Sequence, residues 1–582
     1  MDRTAWVAIF LCVAGLVGWE VWSAKQHLPP APMTAATAAA SPTPAALPSA
    51  TPVPTPTPTA TPEIASFAEK SETLRNSDME LHLTNRGGGI SEVVFLDQVD
   101  DSGAPVRLNS PTRLPIGAFV ETPGAATLPE FTMTREGDSV VMTRAATNGV
   151  SVKKTFSFPP TTEKRDNYLV ALDVELKNTS AARVQQPEYF ISLGSAAPLH
   201  PRDFPTYTRL AWCENGAGKG INVSWFGAQT IPIVGIQKRA AMEFYREKIV
   251  KGAEWAGVAN QFFTTLITPL NGPGVELWGQ RFVTGENGTV PVYGIEGALA
   301  LPQVDLAPGE VKTLHFQIYS GPKIYRRLAQ LSHHEAEIMD FGMFKLVCQA
   351  LLNFMNLLQH WVGNYGIAIV LMTVCVKAVL WPLQNKANRS MRRMSQLSPK
   401  MQELRAKYKD DPTKMNAEVM KLYKEYGVNP VGGCLPMLIQ FPIFIGLYTM
   451  LRQAAELRNA HFLWVHDLSQ PDTLFTIPGL GWIPIIGNPT GGLAINIFPI
   501  LMGASQFLLM KMTPKTGDPT QQRIMMFMPL IFLLFCYNFA AALALYYTTQ
   551  NLLSILQFWH NQRQPAPVLA KVTAAKKGAR KG

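Results

Sequence analysis

The chain has 582 residues, 47% of them hydrophobic and 16% charged, with a formal net charge of +10. It is long enough for several domains, and this balance leans toward a membrane protein with a soluble part; the basic excess, drawn mainly from segments beside apolar runs, implies anionic lipid or nucleic acid as a neighbour. All of the cysteines but Cys213 lie in or beside apolar segments, and no disulfide framework is implied.

Residues 1–24 read as an N-terminal transmembrane anchor. The apolar run from Thr4 to Val21 has Trp6, Trp19 and Trp22 near its ends, as an interfacial belt requires. The segment before the run is only weakly basic, and no small-x-small site closes it at Val21 to Lys25, so an uncleaved anchor with a cytoplasmic N-terminus is expected rather than a signal peptide. Cys12 precedes Val-Ala-Gly, which does not suit lipidation. Residues 25–62, Pro-, Ala- and Thr-rich and including PTPTPTATP, read as a linker. Its extended stretches rise about 3.1 Å per residue and make a semi-stiff tether.

Residues 63–320 read as one all-β sandwich domain. Period-two alternation recurs between turn signals: Val150, Val152, Phe156 and Phe158; Val170, Leu172, Val174 and Leu176; Leu314, Phe316 and Ile318. Arg86-Gly87-Gly88-Gly89 between strands predicts a tight turn, not a phosphate loop. His200, Asp203 and His315 show neither metal nor catalytic spacing. Residues 321–361 change character. Ile324, Leu328, Leu331 and Ile338 fall at roughly helical spacing among basic residues, which predicts an amphipathic helix along a membrane face, continued amphipathically by Leu346 to Trp361. His333-His334-Glu335 contains no i, i+4 histidine pair and reads as a solvated face, so no metal is expected.

Transmembrane helix 2, residues 362–383, carries Lys377 inside an apolar run. An ammonium in hydrocarbon costs roughly 2.5–3.5 kcal/mol on insertion scales, so it marks a functional site by default. The competing reading is snorkelling, since Lys386 lies only nine residues on, about 13 Å of helix rise. Thr373 sits four residues earlier on the same face.

Residues 384–433 hold eleven cations against five acids, which assigns this loop to the cytoplasm. Met391, Met394, Leu397, Met401 and Leu404 step by three and four, as do Met415, Val419, Leu422 and Tyr426. Two helices pairing as a hairpin are expected, with Asp411 as N-cap and Pro412 at the first helical position. Residues 434–560 hold transmembrane helices 3–6: Cys434 to Leu451, Leu493 to Met510, Ile524 to Tyr537 and Leu543 to Trp559. Several are short against the roughly 20 residues a bilayer needs, which implies local thinning or mutual burial. They are also polar inside, with Gln440, Asn496, Gln506, Thr548, Gln550, Asn551, Ser554 and Gln557; Tyr547, Asn551 and Ser554 make one stripe. So many polar groups beside a lysine fit a hydrated cavity better than packing glue alone. Residues 561–582, with Arg563, Lys571, Lys576, Lys577, Arg580 and Lys581 and no acid, are a basic cytoplasmic tail. Either the tail only holds the last helix in orientation, or its charges dock phosphate-rich RNA.

The stretches NPVGGCLPMLIQFPIFIGLYTML (429–451), KAVLWPLQNKANRSM, LRNAHFLWVHDLS, DPTQQRIMMFMPLIF and LALYYTTQNLLSILQ together resemble the YidC membrane protein insertases over about residues 345–560. Tether, β-domain and anchor resemble the Gram-negative type with a large periplasmic domain. The resemblance implies a polytopic α-helical membrane protein with six transmembrane helices, five forming the insertase core, plus an all-β periplasmic supersandwich of sugar-mutarotase type. It implies an inner-membrane location, no cofactor, no catalytic residue, and a groove open to cytoplasm and lipid with one basic residue, here Lys377 where many members carry arginine. The family's Pro-Ser-Gly turn between the last two helices is Ala540-Ala541-Ala542 here.

The candidate groove is Lys377, Thr373, Gln440, Phe444, Asn496, Gln506, Tyr546, Tyr547 and Asn551, of which Thr373, Phe444, Tyr546 and Tyr547 stand where relatives place groove or substrate-contacting residues. Arg392, Arg393, Lys400, Arg405, Lys407, Lys571, Lys576 and Lys577 are the candidates for ribosome and nascent-chain contact. The implied partners are nascent membrane proteins, the ribosome, the Sec translocon and anionic phospholipid. Two other readings stand beside this one. A secondary transporter with an extracytoplasmic β-domain would show an inverted repeat among its helices, and none is visible; a periplasmic carbohydrate enzyme on an anchor would need an acid and histidine constellation that the β-domain lacks.

Overall fold

A computed structural model describes residues 67–564, apart from 101, 122, 125–126, 161–166, 187–188, 201–202, 231–236, 288–289, 410, 429–434, 482, 484–485, 489–491 and 514–518. The expected anchor, linker and basic tail, with Lys571, Lys576 and Lys577, lie outside the described residues. The chain divides into two compact units, a β-domain and a helical unit.

The three alternating runs of the β-domain are neighbours in one nine-stranded sheet: Val150–Ser157 pairs with Leu169–Asn178, which pairs with Val311–Pro322. Phe156 and Phe316 both stand opposite Leu172. One parity of each strand therefore faces the core, as period two dictates. The sheet's other edge is built from Trp255–Ala259, Arg209–Glu214 and Ala217–Asn222. A five-stranded sheet lies against it, close enough that a Cβ on Gly279 or Gly297 would come within 2.7 Å of the Leu210 side chain. Trp212, Trp255, Tyr168, Phe95 and Phe263 are fully buried, each worth about 1.5–3 kcal/mol of transfer free energy.

The Gly87-Gly88 pair turns with φ of 73° and 60°, the left-handed region that glycine adopts freely. Its carbonyls are held by a lysine. Lys154, fully buried, donates from Nζ to Gly87 O (3.0 Å), Gly88 O (2.8 Å) and Gly117 O (2.9 Å), with the Phe119 and Phe131 rings on either side. Burial, then Arg144, pulls its pKa well below the ordinary lysine value, whereas three carbonyl acceptors call for the three donors that only an ammonium has.

The segment after the sheet departs from the expected amphipathic helix. It makes one helical turn at Tyr325–Leu328, then 3-10 turns at Glu335–Ile338 and Gly342–Phe344. His334 at φ 62° and Gly342 at φ 61° break the helix. Glu335 is buried rather than solvated, accepting from His333 N and Thr268 Oγ1.

Regular helix begins with α1, Lys345–Val362, and α2, Tyr365–Gln396. Gly363, at φ 69°, closes the first and the Asn364 side chain caps the second through Ile367 N. Among the described residues, α2 alone is a helix long and apolar enough by itself to cross a membrane. It does not stop at Leu383. It continues thirty-two residues in all, about 48 Å, with Pro382 inside it. The hairpin that follows, α3 (Ser398–Lys407) and α4 (Pro412–Glu425), has the expected start: Asp411 accepts from Lys414 N at 3.0 Å and Pro412 opens the helix. Leu397, Met401, Leu422, Tyr426 and Val428 form its core, with Met394, Leu404, Val419 and Tyr423 against them.

The remaining helices are α5 (Leu435–Gln453), α6 (Ile497–Met512), α7 (Pro519–Cys536) and α8 (Ala541–Gln562). Residues 493–496, expected to open a helix, instead form the strand Gly492–Asn496 between Thr473–Ile477 and Gly487–Asn488. The Ala540-Ala541-Ala542 turn is fixed by Ala541 N and Ala542 N donating to Gln470 O and Leu468 O.

Candidate functional site

Two helices carry the site, and both are inside out. α8 buries Tyr547, Gln550, Asn551, Ser554, Gln557 and Asn561 while Leu552, Leu556 and Trp559 stand about half exposed; α2 buries Thr373, Lys377, Gln384 and Asn388 and exposes Ile367, Leu371, Val374 and Val379. Water would enforce the reverse. Apolar surround and polar interior suit lipid.

The buried faces meet in a ladder of hydrogen bonds. Lys377 Nζ donates to Ser554 Oγ at 2.8 Å, and Ser554 Oγ donates on to Gln550 O. Gln557 Nε2 donates to Asn385 Oδ1 at 2.9 Å and Asn561 Nδ2 to the same oxygen at 3.0 Å. At the far end the Arg392 guanidinium donates to Asn561 O at 2.7 Å and Gln564 O at 3.3 Å, at the C-terminal end of α8. Lys377 is 3% exposed and has no carboxylate partner among the described residues. A buried cation with only a hydroxyl for company attracts any anion that can reach it.

Above the ladder stands an aromatic cluster. The Tyr547 ring is 5.4 Å from Phe444 on α5, 5.3 Å from Phe532 on α7 and 5.3 Å from Tyr546. Phe444, Tyr546 and Tyr547 are thus brought together, with Tyr547 two turns along α8 from Ser554.

Other expected members go elsewhere. Thr373 spends its hydroxyl on Ile369 O of its own helix at 2.6 Å. Asn496 is not inside a span: it ends the strand, accepts from Thr473 Oγ1 and donates to Tyr537 O. Asn551 reaches Ser505 Oγ at 3.1 Å on α6, a partner the sequence reading missed. Gln440 and Gln506 are half-buried on α5 and α6, outside the ladder formed by the described residues. Asn385 and Asn388 were also missed, though they continue the Lys377 face of α2 at helical spacing.

Of the basic candidates, Arg393, Lys400 and Lys407 are exposed, Lys400 lying over the Tyr426 ring and Lys407 beside the Tyr408 ring. Arg405 is half-buried, and Arg392 is occupied by the α8 carbonyls.

Residues 357–567 match the family described as 60Kd inner membrane protein, and residues 72–354 match that described as YidC periplasmic domain. A relative from Nitratidesulfovibrio vulgaris (strain DSM 19637 / Miyazaki F), named Membrane protein insertase YidC, is 34% identical over 434 residues, 73% of this chain and 70% of its own. Another of that name from Geobacter sulfurreducens (strain ATCC 51573 / DSM 12127 / PCA) is 28% identical, covering 87% of this chain and 86% of its own. Among solved structures, that titled "Active YidC insertase crystal structure with the first transmembrane domain resolved" is 18% identical, covers 84% of this chain and 92% of its own, and has a TM-score of 0.34. With an inner-membrane part and a periplasmic part both matched, and relatives a third identical over most of their length, the chain belongs to the YidC family of membrane protein insertases.

Proposed function

We propose that this insertase receives nascent membrane proteins in a hydrated groove lined by α2, α5, α7 and α8, that Lys377 draws acidic flanking segments of the client into it, and that the apolar segment then leaves sideways into lipid. The observation that carries the reading is the Lys377 ammonium, buried on the helix best suited to span the bilayer and bonded to Ser554 alone among the described side chains. A fixed cation lowers the barrier for a carboxylate crossing a low-dielectric slab. Six transmembrane helices, five of them forming the core, belong to the same proposal. The 16 residues of α6 rise only about 24 Å, short of a hydrocarbon core of about 30 Å, so the bilayer thins around it.

Both termini are cytoplasmic in this reading and the β-domain is periplasmic. The exposed cations Arg393, at the end of α2, and Lys400 and Lys407 of the hairpin, with those of the tail, receive the ribosome, with anionic phospholipid beside them; the Sec translocon is a partner for clients with large translocated parts. Site-specific crosslinkers at Ser554, Phe444 and Tyr547 test the groove against ribosome-arrested client chains. Adducts that move from Ser554 toward Tyr547 and Phe444 as the client lengthens are expected, and adducts no stronger than those from a crosslinker at the exposed Leu552 would refute it. Ribosome co-sedimentation of the full chain and of a chain ending at Pro565, across a salt series in detergent, tests the tail: an unchanged affinity and salt slope would assign it to orientation alone.

A further inference from the structure

We propose that Cys213, Glu254 and His334 of the β-domain bind one thiophilic divalent cation of the zinc type. One donor atom from each lies within 4.8 Å of the others. The three come from separate parts of the domain. Cys213 is on the strand Arg209–Glu214, Glu254 lies between the strands Phe244–Ala253 and Trp255–Ala259, and His334 sits in the segment after the last strand.

Each donor is held in place by the backbone. Glu254 N donates to Cys213 O at 2.9 Å, and Glu254 Oε1 accepts from Gly216 N at 2.7 Å, leaving Oε2 against His334 Nδ1 at 2.9 Å. His334 takes φ 62°, and its carbonyl accepts from Glu337 N at 3.0 Å. The segment lies flush on the Cys213 hairpin: a Cβ on Gly218 would come within 2.6 Å of Glu337 O, so that position must be glycine.

The donor set selects the ion. Thiolate, imidazole and carboxylate suit zinc, whereas calcium and magnesium take oxygen alone. Zinc bond lengths set tetrahedral edges of about 3.3–3.6 Å, so the cluster closes on the ion with a shift of about 1 Å. His334 can supply that movement, because its side chain is 60% exposed while Cys213 is buried. The fourth corner falls to Glu337 or a water. The bound ion would staple the 333–338 segment to the sheet edge.

The test uses the full-length protein in detergent, stripped with chelator and titrated with Co²⁺ and then Zn²⁺. One Co²⁺ per chain with a thiolate-to-cobalt charge-transfer band is expected, displaced by Zn²⁺, with amide exchange across 331–338 slowed. Cys213→Ser should lose the band. His334→Ala, at an exposed position that leaves the fold intact, should weaken binding at least tenfold, and His461→Ala, a control elsewhere in the chain, should leave it unchanged. Absence of the thiolate band in the wild type, or wild-type affinity in His334→Ala, overturns the proposal.

Discussion

Replacing Lys377 by Glu, Met or Arg separates the sign of its charge from the space it fills. The ammonium is 2.8 Å from Ser554 Oγ, 3% exposed and without a carboxylate partner among the described residues, so its field is not cancelled locally. A client carboxylate approaching to about 4 Å gains about 4 kcal/mol at an effective dielectric of 20. A brief, partly hydrated passage realises about half of that. Removing about 2 kcal/mol slows the step by about 30-fold in Lys377→Met, and reversing the sign in Lys377→Glu about doubles the free-energy change. Lys377→Arg keeps the charge and should stay within about threefold of wild type, losing only the fit to Ser554. The assay is protease protection of a single-span client in proteoliposomes, made once with an acidic translocated tail and once with Asn and Gln replacing its acids. The neutral-tail client should be indifferent to the sign at position 377. Equal insertion of the acidic-tail client by the Glu and Arg variants would refute the electrostatic role.

Deleting Lys400 to Lys424 removes a hairpin that has its own core, so the remaining chain should still enter the membrane but insert clients poorly; full complementation of a depletion strain would contradict this. Lys154→Met leaves three buried carbonyls without their donor and should lower the stability of the β-domain by about 3 kcal/mol, read as the shift of its thermal transition. Burial, opposed by Lys219 and reinforced by Glu214, pushes the Glu247 carboxyl up to about 7 from its ordinary 4.5. The folded state therefore keeps a proton that the unfolded state releases, and stability falls as pH rises from about 4.5 to about 7, by about 1 kcal/mol once its partial exposure is allowed for. Glu247→Gln should match wild type at pH 5 and exceed it in melting temperature at pH 8.

Much of this was legible where a period repeats or a cap is spelled out. Val150, Val152 and Phe156 announced their sheet, and Asp411-Pro412 announced the start of α4. The same period two puts Lys154 on the core face with them, although a lysine there runs against the apolar pattern of the strand. α2 outruns its apolar segment for a related reason. A run of cations after Leu383 looks like a loop, but charged residues are good helix formers, and Asn385, Asn388 and Arg392 stay on the buried face. What no local pattern discloses is pairing at a distance: Ser554 meets Lys377 from 177 residues away, and Glu254 meets His334 from 80. The break at His334 was equally hidden, since a left-handed histidine answers to the packing around it and not to its neighbours in sequence.

Pro382 gives α2 a mechanical character that its length alone would not. An unbroken helix transmits bending from end to end, whereas a proline removes one backbone bond and makes the place where a rod yields first. This joint lies just beyond Lys377, before Asn385, whose side chain is tied to Gln557 and Asn561. Arg392 ties the stretch of α2 below the joint to the end of α8, so a load on the hairpin reaches both helices at once. Lys377, on the other side of the joint, is bonded to Ser554 of α8 as well, so α8 runs past the joint and splints the two stretches of α2 together.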